Sequence, residues 1–311
     1  MSSYFILMLC VLLMGAEVSQ EYPTTIWMYW GNRMPWHVPA YIERNIKIFH
    51  HMPLIFLNPD NVKFYLDMKT FPKHFYWLCD QNKADYIRLR LLEKYGGIWI
   101  DATTYFKDSK IVERYHEEAK EQQAQLLALS SFDWGIRYIE NGFLIAPKGS
   151  SVINAWVKEY HKAIDQGFRD YIVEKHYEGV DLVKKLYTLG DPNIYLTAHV
   201  ALQTALQKRV PNDTKIIVKR TEDTIFKLNV MCNWNDTCVV EKWLNDPSTR
   251  ELEALKMSRA LRRVAFDAAD NQKKISQAFI YAGLVLLPVF CLLFLKPFAF
   301  IRARRSRKKI T

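Results

Sequence analysis

Several things are missing or scarce in this 311-residue chain, and each narrows the reading. No segment repeats another and none is of low complexity, which sets aside a repeat architecture and a disordered array. Of the eight histidines, none stands at a spacing that marks a metal or triad site, so solvated or core positions are their default. No general base is marked either. Acidic residues are absent from the C-terminal stretch 296–311, where Lys296, Arg302, Arg304, Arg305, Arg307, Lys308 and Lys309 carry seven of the positive charges. The formal net charge of +10 falls to +3 without them, so the basicity does not describe a nucleic-acid surface. Cysteine is sparse at five. Cys10 and Cys291 lie in long apolar runs, Cys232 and Cys238 could close a short disulfide loop in an oxidising lumen, and Cys79 is left unpaired.

What is present begins with two such runs. Residues 275–295 form a stretch of 21 without a charge, close to the ~20 that cross a bilayer, and Pro288 within it is tolerated in lipid. Lys273 and Lys274 on one side and the basic tail on the other favour a membrane span over a buried core helix. The positive-inside rule puts the tail in the cytosol and the rest across the membrane. Residues 4–15 match a signal-peptide core, with an uncleaved N-terminal anchor as the alternative. Asn212-Asp213-Thr214 and Asn235-Asp236-Thr237 are N-glycosylation acceptors. The ending Lys308-Lys309-Ile310-Thr311 is similar to a dilysine retrieval signal of endoplasmic reticulum proteins, although a stop-transfer cluster produces the same letters. The expected organisation is a signal peptide at 1–19, a luminal domain at 20–250, a charged, helical connector at 251–274, a span at 275–295 and a cytosolic tail at 296–311. Endoplasmic reticulum or Golgi membrane is the expected location.

Half of the residues are hydrophobic, enough for a full core in one domain. Alternating apolar runs and amphipathic stretches argue an α/β sheet layer. Strands are expected at 22–31, 54–57, 98–100, 126–130 and 143–146. Helices are expected at 39–49, 152–164 and 196–206, with a largely solvated polar helix over 108–125.

The richest stretch is 83–106. Asp85 and Arg88 stand one helical turn apart, so both project from one face. Ala84, Ile87, Leu91 and Leu92 add an apolar stripe. Gly96-Gly97 ends the helix, because glycine enters the left-handed region without steric cost. Ile98-Trp99-Ile100 is then a buried strand that delivers Asp101 to its carboxyl end, where ligands of open α/β sheets gather. Each feature has a plainer reading: an exposed ion pair for Asp85 and Arg88, a turn residue for Asp101.

In this order and spacing, the Asp-x-x-Arg helix, the Gly-Gly turn and the strand-end Asp101 resemble the donor-binding core of glycosyltransferase family 32, a group that includes capsular polysaccharide synthesis proteins. The opening run Tyr22 to Gly31, the segment Asn141 to Pro147 and the segment Leu189 to Thr197 are similar to further pieces of that pattern. The resemblance covers roughly 23–197. It implies a GT-A-type nucleotide-sugar-binding fold and a hexosyltransferase that works with retention. Trp30 would lie against the nucleotide base, although a core tryptophan has the same surroundings in sequence. Asp85, Arg88 and Asn141 would orient the donor sugar. Asp101 would hold the ribose and the shell of a divalent cation, Mn2+ or Mg2+. Thr103 stands where most members carry the second metal-binding aspartate, as it does in the capsular polysaccharide subgroup. A further metal ligand is expected near Trp234, or near Glu241 and Trp243. The partners so implied are a nucleotide-sugar donor, a glycan, protein or lipid acceptor, and a membrane; no nucleic acid is implied. The alternative is a catalytically silent protein of the same fold that binds or escorts a partner enzyme.

Overall fold

The computed structural model describes residues 20–257 apart from 32–33, 36–37, 134 and 189–193. The expected signal peptide, membrane span and tail lie outside the described residues, as do Leu189 to Asn193 of the similar segment at 189–197. Among the described residues no helix is long and apolar enough to cross a membrane.

Eight strands are found among them: β1 (Ile26–Tyr29), β2 (Leu54–Leu57), β3 (Gly97–Ile100), β4 (Thr104–Phe106), β5 (Leu126–Asp133), β6 (Ile136–Ala146), β7 (Ile216–Arg220) and β8 (Ala254–Lys256). The helices are α1 (Val38–Ile48), α2 (Asp80–Tyr95), α3 (Lys110–Glu121), α4 (Ser151–Gln166), α5 (Phe168–Tyr177), α6 (Asp181–Thr188), α7 (Thr197–Lys208), α8 (Lys227–Met231) and α9 (Asp236–Asn245). Six strands form one mixed sheet in the order β2-β1-β3-β6-β5-β7, and β4 pairs with β8 in a second, two-stranded sheet. Within the large sheet β6 runs against both β3 and β5, while β1, β2 and β3 are parallel, as are β5 and β7.

Strands β1 and β3 are apolar throughout because both faces are covered. Side chains alternate between two cores, as the period of two requires. Trp27, Tyr29, Trp99, Leu144 and Ala146 join one core with Leu91 of α2, Trp156 of α4, Tyr171 of α5 and Ala201 of α7. Ile26, Met28, Ile98, Ile100 and Ile145 join the other with Ile111, Val112, Tyr115 and Ala119 of α3. Helix α3 is therefore amphipathic and not the largely solvated helix expected over 108–125: its buried positions are hidden among Lys and Glu. The strands expected at 126–130 and 143–146 extend into a hairpin whose outer part is polar, Ser130, Ser131, Arg137 and Glu140 included. The stretch from Glu251, expected to be a helical connector, carries strand β8 in its described part.

Helix α2 ends at the glycine pair. Gly96 and Gly97 have φ of +67° and +101°, and a Cβ on Gly97 would stand 2.5 Å from the Thr25 carbonyl oxygen. That closeness lets β3 enter the sheet at once, with Ile98 N–H donating to Thr25 at 2.9 Å and Trp27 Nε1 donating to the Gly96 carbonyl at 2.9 Å. The Cys232–Cys238 disulfide is formed, Cys79 is free, and Asn212 and Asn235 are exposed.

Gly97→Ala combines a left-handed backbone with a backbone clash, so a loss of about 3 kcal/mol or more is expected. Gly149, at φ +75° with open space around it, should lose only about 1–2 kcal/mol as alanine. Urea unfolding of the two variants reads the difference.

Candidate active site

The carboxyl ends of β1 and β3 and the middle of β6 meet at one place. The antiparallel pairing of β6 with β3 sets Phe143 opposite Ile100, so Asn141 and Gly142 fall beside Asp101, whose N–H donates to the Gly142 carbonyl at 3.0 Å. Above them lies α2, whose face toward the sheet carries Asp85 and Arg88, both buried. The plainer reading of these two as an exposed pair does not hold.

Arg88 is the hub. Its Nη2 lies 3.1 Å from Asp85 Oδ1 and 3.3 Å from Asp101 Oδ1, and its Nη1 donates to the Asn141 carbonyl. The guanidinium also stacks over the Trp99 ring, 4.9 Å from the centroid, which fixes its plane. A planar guanidinium can lie flat on the indole while its two Nη groups reach acceptors on three elements, a geometry that a compact ammonium does not offer. Asn141 Nδ2 donates to Asp85 Oδ1 at 3.0 Å, so its side chain orients the carboxylate. Trp99 Nε1 donates to Asp101 Oδ1 at 3.0 Å.

The two carboxylates are poised differently. Burial pushes the Asp85 carboxyl above its ordinary value, against the pull of Arg88 and His199. Burial acts in the same sense on Asp101, but Lys256 and Arg88 outweigh it and hold this carboxyl below its ordinary value. Asp101 is thus the firmly ionised member.

Of the residues singled out in the sequence, Asp85, Arg88, Asp101 and Asn141 are brought into direct contact. Trp30, just past β1, is half-buried and packs on the small cluster of Val38, Ile42 and Ala102, beside the β3 end. Thr103 is buried, and its carbonyl accepts from Met257 N–H at 3.3 Å. The region where a further metal ligand is expected supplies packing: Trp243 lies on Tyr105 and Trp234 on Phe226, while Glu241 is exposed. Among the described residues no group of three His, Cys, Asp or Glu could hold a metal ion. Both oxygens of Asp101 already face donors. A hard dication needs several oxygen ligands, carboxylates foremost, and this set does not fit one.

Three features escaped the sequence reading. Lys256 on β8 donates to Asp101 Oδ2. A Cβ on Gly142 would come within 3.1 Å of that same oxygen, so the glycine makes room for the pair. His199 on α7 stands 3.7 Å from Glu140 on β6, with both ring nitrogens buried and lacking hydrogen-bond partners. Only Glu140's position next to Asn141 could have hinted at this last pair.

With this geometry in view, the chain belongs to the capsular polysaccharide synthesis protein family, whose model matches residues 15–241. It is 26% identical over 189 residues to the O-glycosyltransferase braB of Annulohypoxylon truncatum, a match that covers 52% of this chain and 45% of that protein. The chain therefore spans less than half the length of the curated relative it matches. Among solved structures, a glycosyltransferase involved in glycosylation of the major capsid of PBCV-1 superimposes with a TM-score of 0.39 at 14% identity, covering 77% of this chain and 97% of its own. The PaToxG glycosyltransferase gives 0.36 at 12% identity, covering 74% and 80%.

Arg88→Ala leaves two carboxylates facing each other without their shared cation, and a stability loss of about 3–5 kcal/mol in urea unfolding is expected. Arg88→Lys keeps the charge without the fork and should fall between alanine and wild type. The depressed Asp101 carboxyl sets a pH signature: the unfolded chain takes up this proton before the folded one does as pH falls. The stability lead of wild type over Asp101→Asn should be whole above about pH 4 and shrink as the pH drops below it, as thermal melts at a series of pH values would show.

Proposed function

We propose that this chain is a nucleotide-sugar-dependent glycosyltransferase of GT-A type, related to glycosyltransferase family 32. It moves a hexose-type sugar from a nucleoside diphosphate donor to a glycan, protein or lipid acceptor, with retention of configuration. One observation carries the reading. The Asp85–Arg88–Asn141–Asp101 constellation is assembled from a helix and two strands at the carboxyl end of β3, where an α/β sheet offers its ligand cleft. Membership of the capsular polysaccharide synthesis family and the likeness to a named O-glycosyltransferase support it.

In this reading Asp85, with Arg88 and Asn141 fixing it, accepts hydrogen bonds from the sugar hydroxyls, and Asp101 receives the ribose. Trp30 lies at the edge where the base would stack. The site lies on the luminal side of an endoplasmic reticulum or Golgi membrane, held by a type I anchor at 275–295. The apolar run, the basic tail and the closed Cys232–Cys238 disulfide support that placement.

The test is nucleoside diphosphate release by the full chain, made in a secretory host, from a panel of sugar nucleotides with manganese present. Turnover of one donor is expected, falling at least about a hundredfold in Asp101→Asn. Binding without turnover of any donor, with acceptor glycans supplied, would favour the silent escort reading instead.

A further inference from the structure

We propose that Lys256 is the site's own resident cation: its ammonium group meets the diphosphate of the donor, so that donor binding and departure require no divalent ion. The inference rests on the donor reading above and names what holds the diphosphate within it.

The argument starts from a mismatch. A divalent cation at this strand end would need Asp101 as its principal ligand. Yet Asp101 Oδ1 accepts from Trp99 and faces Arg88, and Asp101 Oδ2 accepts from Lys256. The second position offers Thr103, a buried residue with a neutral hydroxyl. Two fixed positive groups already neutralise the one carboxylate that a metal would seek.

The lysine is placed there by the fold. Strand β8 pairs Lys256 with Thr104, and the Lys256 N–H donates to the Ile225 carbonyl at 2.8 Å. The following residue, Met257, donates to Thr103 just past Asp101. A Cβ on Gly142 would lie 3.1 Å from Asp101 Oδ2 and 3.8 Å from Lys256 Nζ, so the glycine keeps the space that the pair occupies. The backbone thus carries Lys256 to the carboxylate from a separate sheet.

The pair also retains the capacity to bind a ligand. The side chains of Lys256 and Asp101 are 26% and 24% exposed, against 6% for Arg88. An ammonium has three donors, and Asp101 accepts from one of them. Arg88 is committed to Asp85, Asp101 and the Asn141 carbonyl, and is walled in. Lys256 is therefore the cation of this cluster that is both fixed and reachable, and lysine binds phosphate as a point charge.

In the transfer itself the C1–O bond to the diphosphate breaks and its electron pair stays on the departing phosphate oxygen. The acceptor hydroxyl oxygen bonds to C1, and its proton passes to that departing oxygen. Lys256 faces the charge that builds on the leaving group, which is where a preorganised cation is most effective. By that contact it is a catalytic residue.

Calorimetric titration of the full chain with UDP, and separately with GDP, tests this in EDTA and again in manganese. One of the two nucleoside diphosphates should bind in EDTA, with an affinity within about threefold of that in manganese. Lys256→Met should weaken it about tenfold or more, while Lys256→Arg stays within about threefold of wild type. Binding that appears only with manganese, or that survives unchanged in a folded Lys256→Met, overturns the role of Lys256 and leaves the donor reading intact. If neither nucleoside diphosphate binds a cooperatively melting wild type in either buffer, the donor reading fails and takes this proposal with it. Should Lys256→Met not fold, the wild-type comparison between EDTA and manganese decides by itself.

Discussion

One guanidinium holds the site together. Arg88 stands between two carboxylates, lies flat on an indole and binds a strand carbonyl, so it ties α2, which carries Asp85, to the β3 end, which carries Asp101, and to the β6 backbone. Burying a single carboxylate in such surroundings is costly, and burying two beside each other is worse. The arrangement survives because each negative group faces a cation and a neutral donor, with Arg88 shared between the two. Asp85 has Arg88 and Asn141; Asp101 has Arg88, Trp99 and Lys256. Asp85 is left reluctant to ionise and Asp101 eager, a division that comes from how much positive charge each one faces.

The scaffold around this knot is rigid for reasons that lie in covalent geometry. A strand buried on both faces must alternate its side chains between two cores, and β1 and β3 do so with large residues on each side. The glycine pair removes any loop between α2 and β3, so the helix face and the strand end cannot drift apart.

Much of this could be read from the letters 83–106, because there the helix, turn and strand follow one another and local rules apply. Asp85, Arg88 and Asp101 were legible by spacing, and Asn141 only through the family resemblance of its segment. The polar half of the β5–β6 hairpin was not, since its residues lack the apolar signal and are strand only because their partners are. Helix α3 was misjudged because five buried positions were outnumbered by charged neighbours. Lys256 was invisible for a different reason. A three-residue strand has no period to detect, and its contact with Asp101 joins residues 155 apart in sequence.

That last separation bears on synthesis. A chain emerging from the N-terminus can form β1, α2 and β3 and bring Arg88 to Asp101 long before β8 exists. Until residue 256 has appeared, the Asp101 carboxylate lacks its third donor and the second sheet lacks a strand. The nascent domain therefore carries an unbalanced negative charge at its mouth through most of its making. The last strand to arrive is the one that closes the account, and in a chain stopped short of Lys256 the fold's central sheet could stand complete around a site that never was.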